Sequence, residues 1–178
     1  YKRQDEKPRL TVVDVGAIIL AVGFKTYDPA SLEELGYSRY KNVVSAMEYE
    51  RLASRSGPTE GLVLRPTDKK QPQKIAWLQC IGSRDRENQF CSSICCMYAT
   101  KEAILAKQRL GSKINCSIFI MDERAFNKEY SNYFNQARTI HKINYHRCRI
   151  SAVREDPQTK DLILDYADGQ GRRYQERF

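Results

Sequence analysis

The sequence predicts an α/β protein, a Rossmann-like doubly wound parallel sheet with an antiparallel appendage. Three observations predict it. "KIAWLQC", "CSSICCMYATKEAILAKQRLG", "INCSIFIM", "RAFNKEYSNYFNQART" and "INYH" read in turn as strand, helix, strand, helix, strand, the order that builds a parallel sheet. The first of these helices is closed by Gly111, a common way to end a helix. From Arg149 onward, short strands are joined by turns at "EDPQTK" and "DGQG", which suits an antiparallel addition.

The earlier part of the chain has a different texture. Leu10 to Val13 is β-rich, and Ala17 to Val22 is continuously apolar, as expected of a strand covered on both faces. That strand ends on Gly23, where the backbone can turn sharply or come close to a ligand. In "YDPASLEELGYSRY", Pro29 suits a first helical turn and Gly36 a C-cap. In "SAMEYERLASRSG", Ser45 can cap a helix with Glu48 at its third position, and Gly57 stops it. A loop rich in Pro and Lys follows. The change of pattern divides the chain into residues 1–70 and residues 71–178.

Composition narrows the function classes. Apolar residues make up 41% and charged residues 29% of the 178, an ordinary globular balance. No apolar run reaches the ~18 residues that a membrane span requires. The formal charge is +8, but it is spread along the chain. The one local concentration, Arg138, Lys142, Arg147 and Arg149, reads as a solvated or partner-facing surface. Without an RNA-binding aromatic signature or zinc-finger spacing, nucleic acid is not the expected partner. The chain opens on Tyr1 and stops on "YQERF", which reads as a segment of something longer.

Four of the six cysteines fall within seventeen positions: Cys80, then ten residues to Cys91, then three to Cys95, with Cys96 next to it. Neighbouring cysteines rarely bridge each other, because disulfides prefer Cα atoms further apart than adjacent residues allow. A reducing, intracellular compartment with metal-bound thiolates is the better reading. Cys91 is expected at the helix start, with Cys95 four residues on and on the same face. A helix N-terminus favours anions and lowers thiol pKa. Four thiolates can hold zinc or an iron–sulfur cluster. Vicinal cysteines at one small ion would be strained, whereas a cubane offers corners further apart. Spacing alone therefore favours the cluster, with zinc, redox-active thiols and simple burial left open. Cys116 alternates with apolar residues and reads as core, while Cys148, His141 and His146 read as structural.

A lysine raises a separate question. Ile94, Tyr98 and Leu105 form one stripe on the cysteine-bearing helix, and Lys101 lies in its middle. Either its stem is buried while the ammonium reaches water, or the cation is aimed at an anionic or electron-accepting group. Glu48 reads as a capping residue, and Glu50 as surface or site.

"GAIILAVGF", "NVVSAMEYERLASRSGPTEG", "RPTD", "KIAWLQCIGSRD", "CSSICCMYATKEAILAK" and "IFIMDERAF" closely resemble the heterodisulfide reductase A-subunit family. That group includes A-like polyferredoxin flavoproteins and quinone-interacting oxidoreductase subunits. The resemblance spans nearly the whole chain and weakens after about residue 150. It implies a thioredoxin-reductase-like architecture, with residues 1–70 the C-terminal part and linker of an FAD-binding fold and residues 71–178 a second nucleotide-binding fold. It implies that Ala21, Val22 and Gly23 close over FAD and that Cys80, Cys91, Cys95 and Cys96 hold a [4Fe–4S] cluster. It further suggests that Lys101 and Glu50 lie near the flavin ring and tune it.

The resemblance also implies a function: electron transfer between FAD and the cluster in a cytoplasmic oxidoreductase. Its partners would be heterodisulfide reductase B/C-like subunits and hydrogenase-, formate- or quinone-linked subunits, in a homo-oligomer or hetero-complex. The chain departs from the family pattern in carrying neither the FAD fold's Gly-rich phosphate loop nor ferredoxin-type C-x₂-C-x₂-C motifs. The turn after "KIAWLQC" has only Gly82 in place of G-x-G-x-x-G, so NAD(P)H is not expected there. The rival reading is a zinc-bound or metal-free Rossmann-like docking module.

Overall fold

The computed structural model describes residues 9–178. Two single-turn 3₁₀ helices, Pro29–Ser31 and Glu33–Leu35, precede helix α1, Ala46–Ala53. Then come strand β1 (Lys74–Leu78), helix α2 (Cys95–Leu110), strand β2 (Asn115–Ile120), helix α3 (Lys128–Thr139) and strand β3 (Asn144–Arg147). The chain closes with β4 (Ile150–Glu155), β5 (Leu162–Ala167) and β6 (Arg173–Arg177).

Local chemistry explains these boundaries. The Asp28 side chain accepts from the Ala30 N–H with Pro29 at the first position, and Gly36 ends the second turn with φ 75°. Ser45 and Glu48 form a reciprocal capping box on α1. Asn127 caps α3 by accepting from the Tyr130 N–H at 2.7 Å.

β1, β2 and β3 pair in parallel in that order, Trp77 opposite Ile118 and Phe119 opposite His146. β4, β5 and β6 form a separate antiparallel meander. The mixed α/β architecture thus matches the class expected from the pattern, with the appendage as a second sheet. Side-chain alternation gives the parallel sheet two covered faces. Ile75, Trp77, Cys116, Ile118, Ile120 and Tyr145 pack with Ala99, Ala103, Phe134 and Ala137 of the helices. Ala76, Leu78 and Phe119 pack with Leu35, Val153 and Leu164. Phe119 is central to the second layer: it stacks on His146 and meets Tyr166 and Phe178 edge-on.

Three expectations are corrected. Residues 9–27 contain no strand, and Leu20 and Val22 are 81% and 89% exposed; among the described residues no neighbouring strand pairs with them, and an isolated apolar strand has nothing to bond to. Helix α2 begins at Cys95, four residues later than expected, because Ser93 takes a left-handed φ of 57° that interrupts helical backbone. Finally, Ile94 and Tyr98 face outward (63% and 38% exposed) while Ala99, Thr100, Ala103 and Ala106 face the sheet. The stripe carrying Lys101 is therefore the outer face of α2.

Candidate metal centre

Between the end of β1 and the head of α2 the chain runs through an irregular loop, residues 79–94. Cys80 and Cys91 lie in this loop, and Cys95 and Cys96 are the first two residues of α2. Cys91 and Cys95 do not share a helix face, contrary to expectation, because Cys91 precedes the helix. The loop is tightly folded. Cys80, Arg84 and Ser93 all adopt left-handed backbone (φ 61°, 58° and 57°), which costs a non-glycine residue about 1–2 kcal/mol. Gly82 is also left-handed, and a Cβ placed there would sit 2.3 Å from the Tyr27 ring.

Polar contacts hold this geometry. The Gln79 side-chain amide donates to the Cys95 carbonyl at 3.1 Å, while the Gln79 backbone N–H donates to the Phe119 carbonyl at 2.9 Å. One buried residue thus clamps the end of β1 to the first turn of α2. Arg149 donates to the Cys80 carbonyl at 3.1 Å. Arg84 grips both carboxylate oxygens of Asp122 and places its cation near Cys80. The Ser93 N–H points to Cys91 Sγ at 3.4 Å, and the backbone N–H of Arg124 lies where it favours a Cys96 thiolate.

All six cysteines are free thiols. Cys95 donates its S–H to Cys96, which lowers the Cys96 pKa, helped by the backbone N–H groups, and raises that of Cys95. Burial and the neighbouring Cys96, Cys80 and Cys91 all add to the rise at Cys95. Cys95 therefore senses the charge of the other three thiols, and Cys96 is readily a thiolate. Such a set suits a soft, thiophilic cation, which would relieve the mutual repulsion. Among the described residues, no three His, Cys, Asp or Glu side chains converge in the arrangement that holds a single metal ion.

The other expected site residues fall elsewhere. Lys101 of α2 and Glu50 of α1 form an ion pair on the surface. Ala21, Val22 and Gly23 lie in the exposed irregular segment, Gly23 with φ 76°, away from the thiols in sequence and joined to their loop through the Tyr27–Gly82 contact. Cys116 is fully buried, its thiol pushed up to about 12 by burial. Of the basic group, Arg138 pairs with Glu123 and lies 4.3 Å over the Tyr145 ring, and Arg147 donates to the Met121 carbonyl at 3.1 Å. With Arg149 on Cys80, three of these four cations are tied into the fold.

Sequence reasoning assigned no role to Gln79, Arg84 or Asp122, and it read Arg149 as part of a solvated or partner-facing surface, whereas the structure sets it on the Cys80 carbonyl. Arg84 and Asp122 stand inside the stretches "GSRD" and "IMDERAF", but only the fold shows that they meet. A further residue escaped notice: Glu102 on α2 is 1% exposed and accepts from Trp77 Nε1–H at 2.8 Å. Burial pushes its pKa up to about 7 despite that hydrogen bond.

No protein-family model matches the chain. It is 45% identical over 166 residues to the CoB–CoM heterodisulfide reductase iron-sulfur A-subunit 2 of Methanopyrus kandleri, covering 92% of this chain and 25% of that protein. It is 41% identical over 168 residues to the corresponding iron-sulfur A-subunit of Methanocaldococcus jannaschii, 93% of this chain and 25% of that protein. To the H(2)/formate:CoB-CoM heterodisulfide,ferredoxin reductase A-subunit of Methanococcus maripaludis it is 39% identical over 170 residues, with the same two coverages. The chain spans about a quarter of the length of these relatives. Over that span, the chain belongs to the heterodisulfide reductase A-subunit family.

Proposed function

We propose that this chain is the flavin-to-cluster electron-transfer segment of a heterodisulfide-reductase-type oxidoreductase. Cys80, Cys91, Cys95 and Cys96 would hold a [4Fe–4S] cluster. The observation that carries the reading is that four free thiols, two in a clamped loop and two in the first turn of the helix that follows it, flank the head of α2, with Cys95 sensing the charge of the other three. Two of the thiols come from a loop and two from consecutive helical positions, and four cysteine thiolates are the usual ligand set of a [4Fe–4S] cluster.

When bound, the cluster supplies one-electron transfer and FAD supplies exchange between electron pairs and single electrons. The chain's own residues position and tune these groups. The Arg124 N–H lowers the cost of negative charge on Cys96, as hydrogen bonds to ligand sulfurs do, and Arg84 places a cation near Cys80. Ala21, Val22 and Gly23 would close over FAD, within the C-terminal part of an FAD-binding fold spanning residues 1–70; residues 71–178 form the cluster-bearing unit. Lys101 and Glu50 would set the charge beside the flavin ring. The relatives' names describe subunits of a larger assembly, so the partners proposed are heterodisulfide reductase B/C-like and hydrogenase-, formate- or quinone-linked subunits. A cytoplasmic location belongs to the same proposal; among the described residues no helix is long and apolar enough to cross a membrane.

Anaerobic purification tests the central claim. Broad absorption at about 400 nm, with iron and labile sulfide in the stoichiometry of one [4Fe–4S] cluster, supports it. Stoichiometric zinc in place of iron overturns it.

A further inference from the structure

Glu102 is a buried carboxyl group with no part in the proposed electron path. Its Oε2 is held by Trp77, and its Oε1 has no hydrogen-bond partner. The Tyr49 ring packs edge-on against Trp77, with centroids 5.7 Å apart, and its hydroxyl is likewise buried and unpartnered. A buried carboxylate with one bare oxygen carries a large desolvation cost, whereas the neutral acid does not. The groups around Glu102 do not offset that cost. Glu50 of α1 opposes its charge and Lys101 of α2 favours it, and these two are already paired with each other. Tyr49 of α1, Tyr98 of α2 and Cys116 of β2 each have raised pKa values and bring no positive charge.

Position makes this group consequential. Glu102 lies six residues along α2 from Cys96, about 9 Å by helical rise. Tyr98, between them on the helix, senses Cys95, Cys96 and Glu102 together. An electron added at the head of α2 acts across that distance through low-dielectric core. At an effective dielectric of ~20, one charge at ~10 Å changes a proton affinity about tenfold. The affinity of Glu102 already balances near neutral pH, so such a change moves its proton occupancy substantially.

We propose that Glu102 is a proton-uptake site coupled to reduction of the centre held at the head of its helix. One electron enters the centre from a one-electron donor, and one proton passes from solvent to the Glu102 carboxylate; on reoxidation both leave. Glu102 thereby keeps the net charge of the α2 core nearly constant through the redox cycle. Glu50 and Lys101, charged groups that Glu102 senses and that both reach solvent, lie on the solvent side of this exchange. The inference rests on the cysteine-ligand reading.

The test uses the full protein with its centre loaded, and the same protein without metal. In the metal-free protein, infrared difference spectra should show a protonated carboxyl band that titrates near neutral pH and is missing in Glu102→Gln. Trp77→Phe removes the hydrogen bond favouring the carboxylate, so it should shift that titration to higher pH. In the loaded protein, the midpoint potential of the centre should fall as pH rises through neutrality, and this dependence should be lost in Glu102→Gln with iron and sulfide retained. A pH-independent potential in the unaltered protein, or an unchanged dependence in Glu102→Gln, overturns the proposal while leaving the cysteine reading intact. Absence of iron and sulfide overturns the cysteine reading and the coupling with it.

Discussion

Lys101 and Glu50 pair across α2 and α1 at the surface, with 48% and 37% of their side chains exposed. An ion pair in that setting contributes only about 0–1 kcal/mol to folding, so its placement is not explained by stability. Lys101→Met and Glu50→Gln should each leave the urea-unfolding midpoint almost unchanged. If the pair lies beside the flavin, the two substitutions should move the flavin potential in opposite directions. Loss of the cation disfavours the reduced, more negative ring and lowers the potential; loss of the anion raises it. Spectroelectrochemical titration reads both, and equal shifts of the same sign would count against a flavin-side role.

The proposed cluster divides the six thiols into four ligands and two bystanders. Serine replacement at Cys80, Cys91, Cys95 or Cys96 should lower iron content in anaerobically prepared protein. Cys148→Ser should leave it unchanged. Cys116→Ser should also retain iron but place a hydroxyl in a fully buried apolar layer, at a cost of about 1–3 kcal/mol. Iron analysis alongside denaturant unfolding separates the two behaviours, and iron loss in Cys116→Ser with unchanged stability would show the division to be wrong.

How much of this was visible beforehand depends on what each element relies on. The capping box of Ser45 and Glu48, the Pro29 turn and all six strands from Lys74 onward depend on local chemistry, and the sequence displays them. Residues 10–22 depend on neighbouring strands, which no local pattern can supply. The head of α2 depends on a left-handed Ser93, which hydroxyl-rich "CSS" disguises as a capping sequence. The inward face of α2 is built of alanines, so the larger Ile94, Tyr98 and Leu105 misdirected the reading of Lys101. Glu102 and the clamp by Gln79 arise only where distant segments meet.

Gly82 should be intolerant of side chains. Its φ of 62° and the Tyr27 ring at 2.3 Å from any added Cβ penalise Gly82→Ala twice. Adding Tyr27→Ala should relieve the steric part and leave the backbone part, about 1 kcal/mol. Iron retention during gel filtration should therefore rank unaltered protein first, the double variant second and Gly82→Ala last.

Phe119 joins the parallel sheet to the meander. It is 1% exposed and touches His146, Tyr166 and Phe178. Phe119→Ala should cost about 3–5 kcal/mol. Hydrogen exchange should rise first in β4, β5 and β6, because they lose the residue that docks them. Uniform loss of protection across α2 and the meander would argue against that local role.

Glu102 also makes stability depend on pH in an uncommon direction. Its carboxyl is held above the ordinary value of about 4.5, at about 7, so between those values the folded state binds more protons than the unfolded state. Stability from this group is thus fully present below about 4.5 and declines as pH rises through about 7, by up to ~3 kcal/mol. Three surface carboxylates act oppositely: Asp122, Asp161 and Asp165 are lowered, against burial, chiefly by side-chain hydrogen bonds from Arg84, Arg177 and Gln175 respectively, and stability from them falls as pH drops below the ordinary carboxylate range. Glu102→Gln isolates the first effect because it removes the titration while keeping the shape. Urea unfolding at pH 5 and pH 7.5 should show the unaltered protein losing more stability than Glu102→Gln over that interval. Parallel curves for the two proteins would mean that Glu102 is charged throughout, and the unpaired oxygen would then need a cation or donor to account for it.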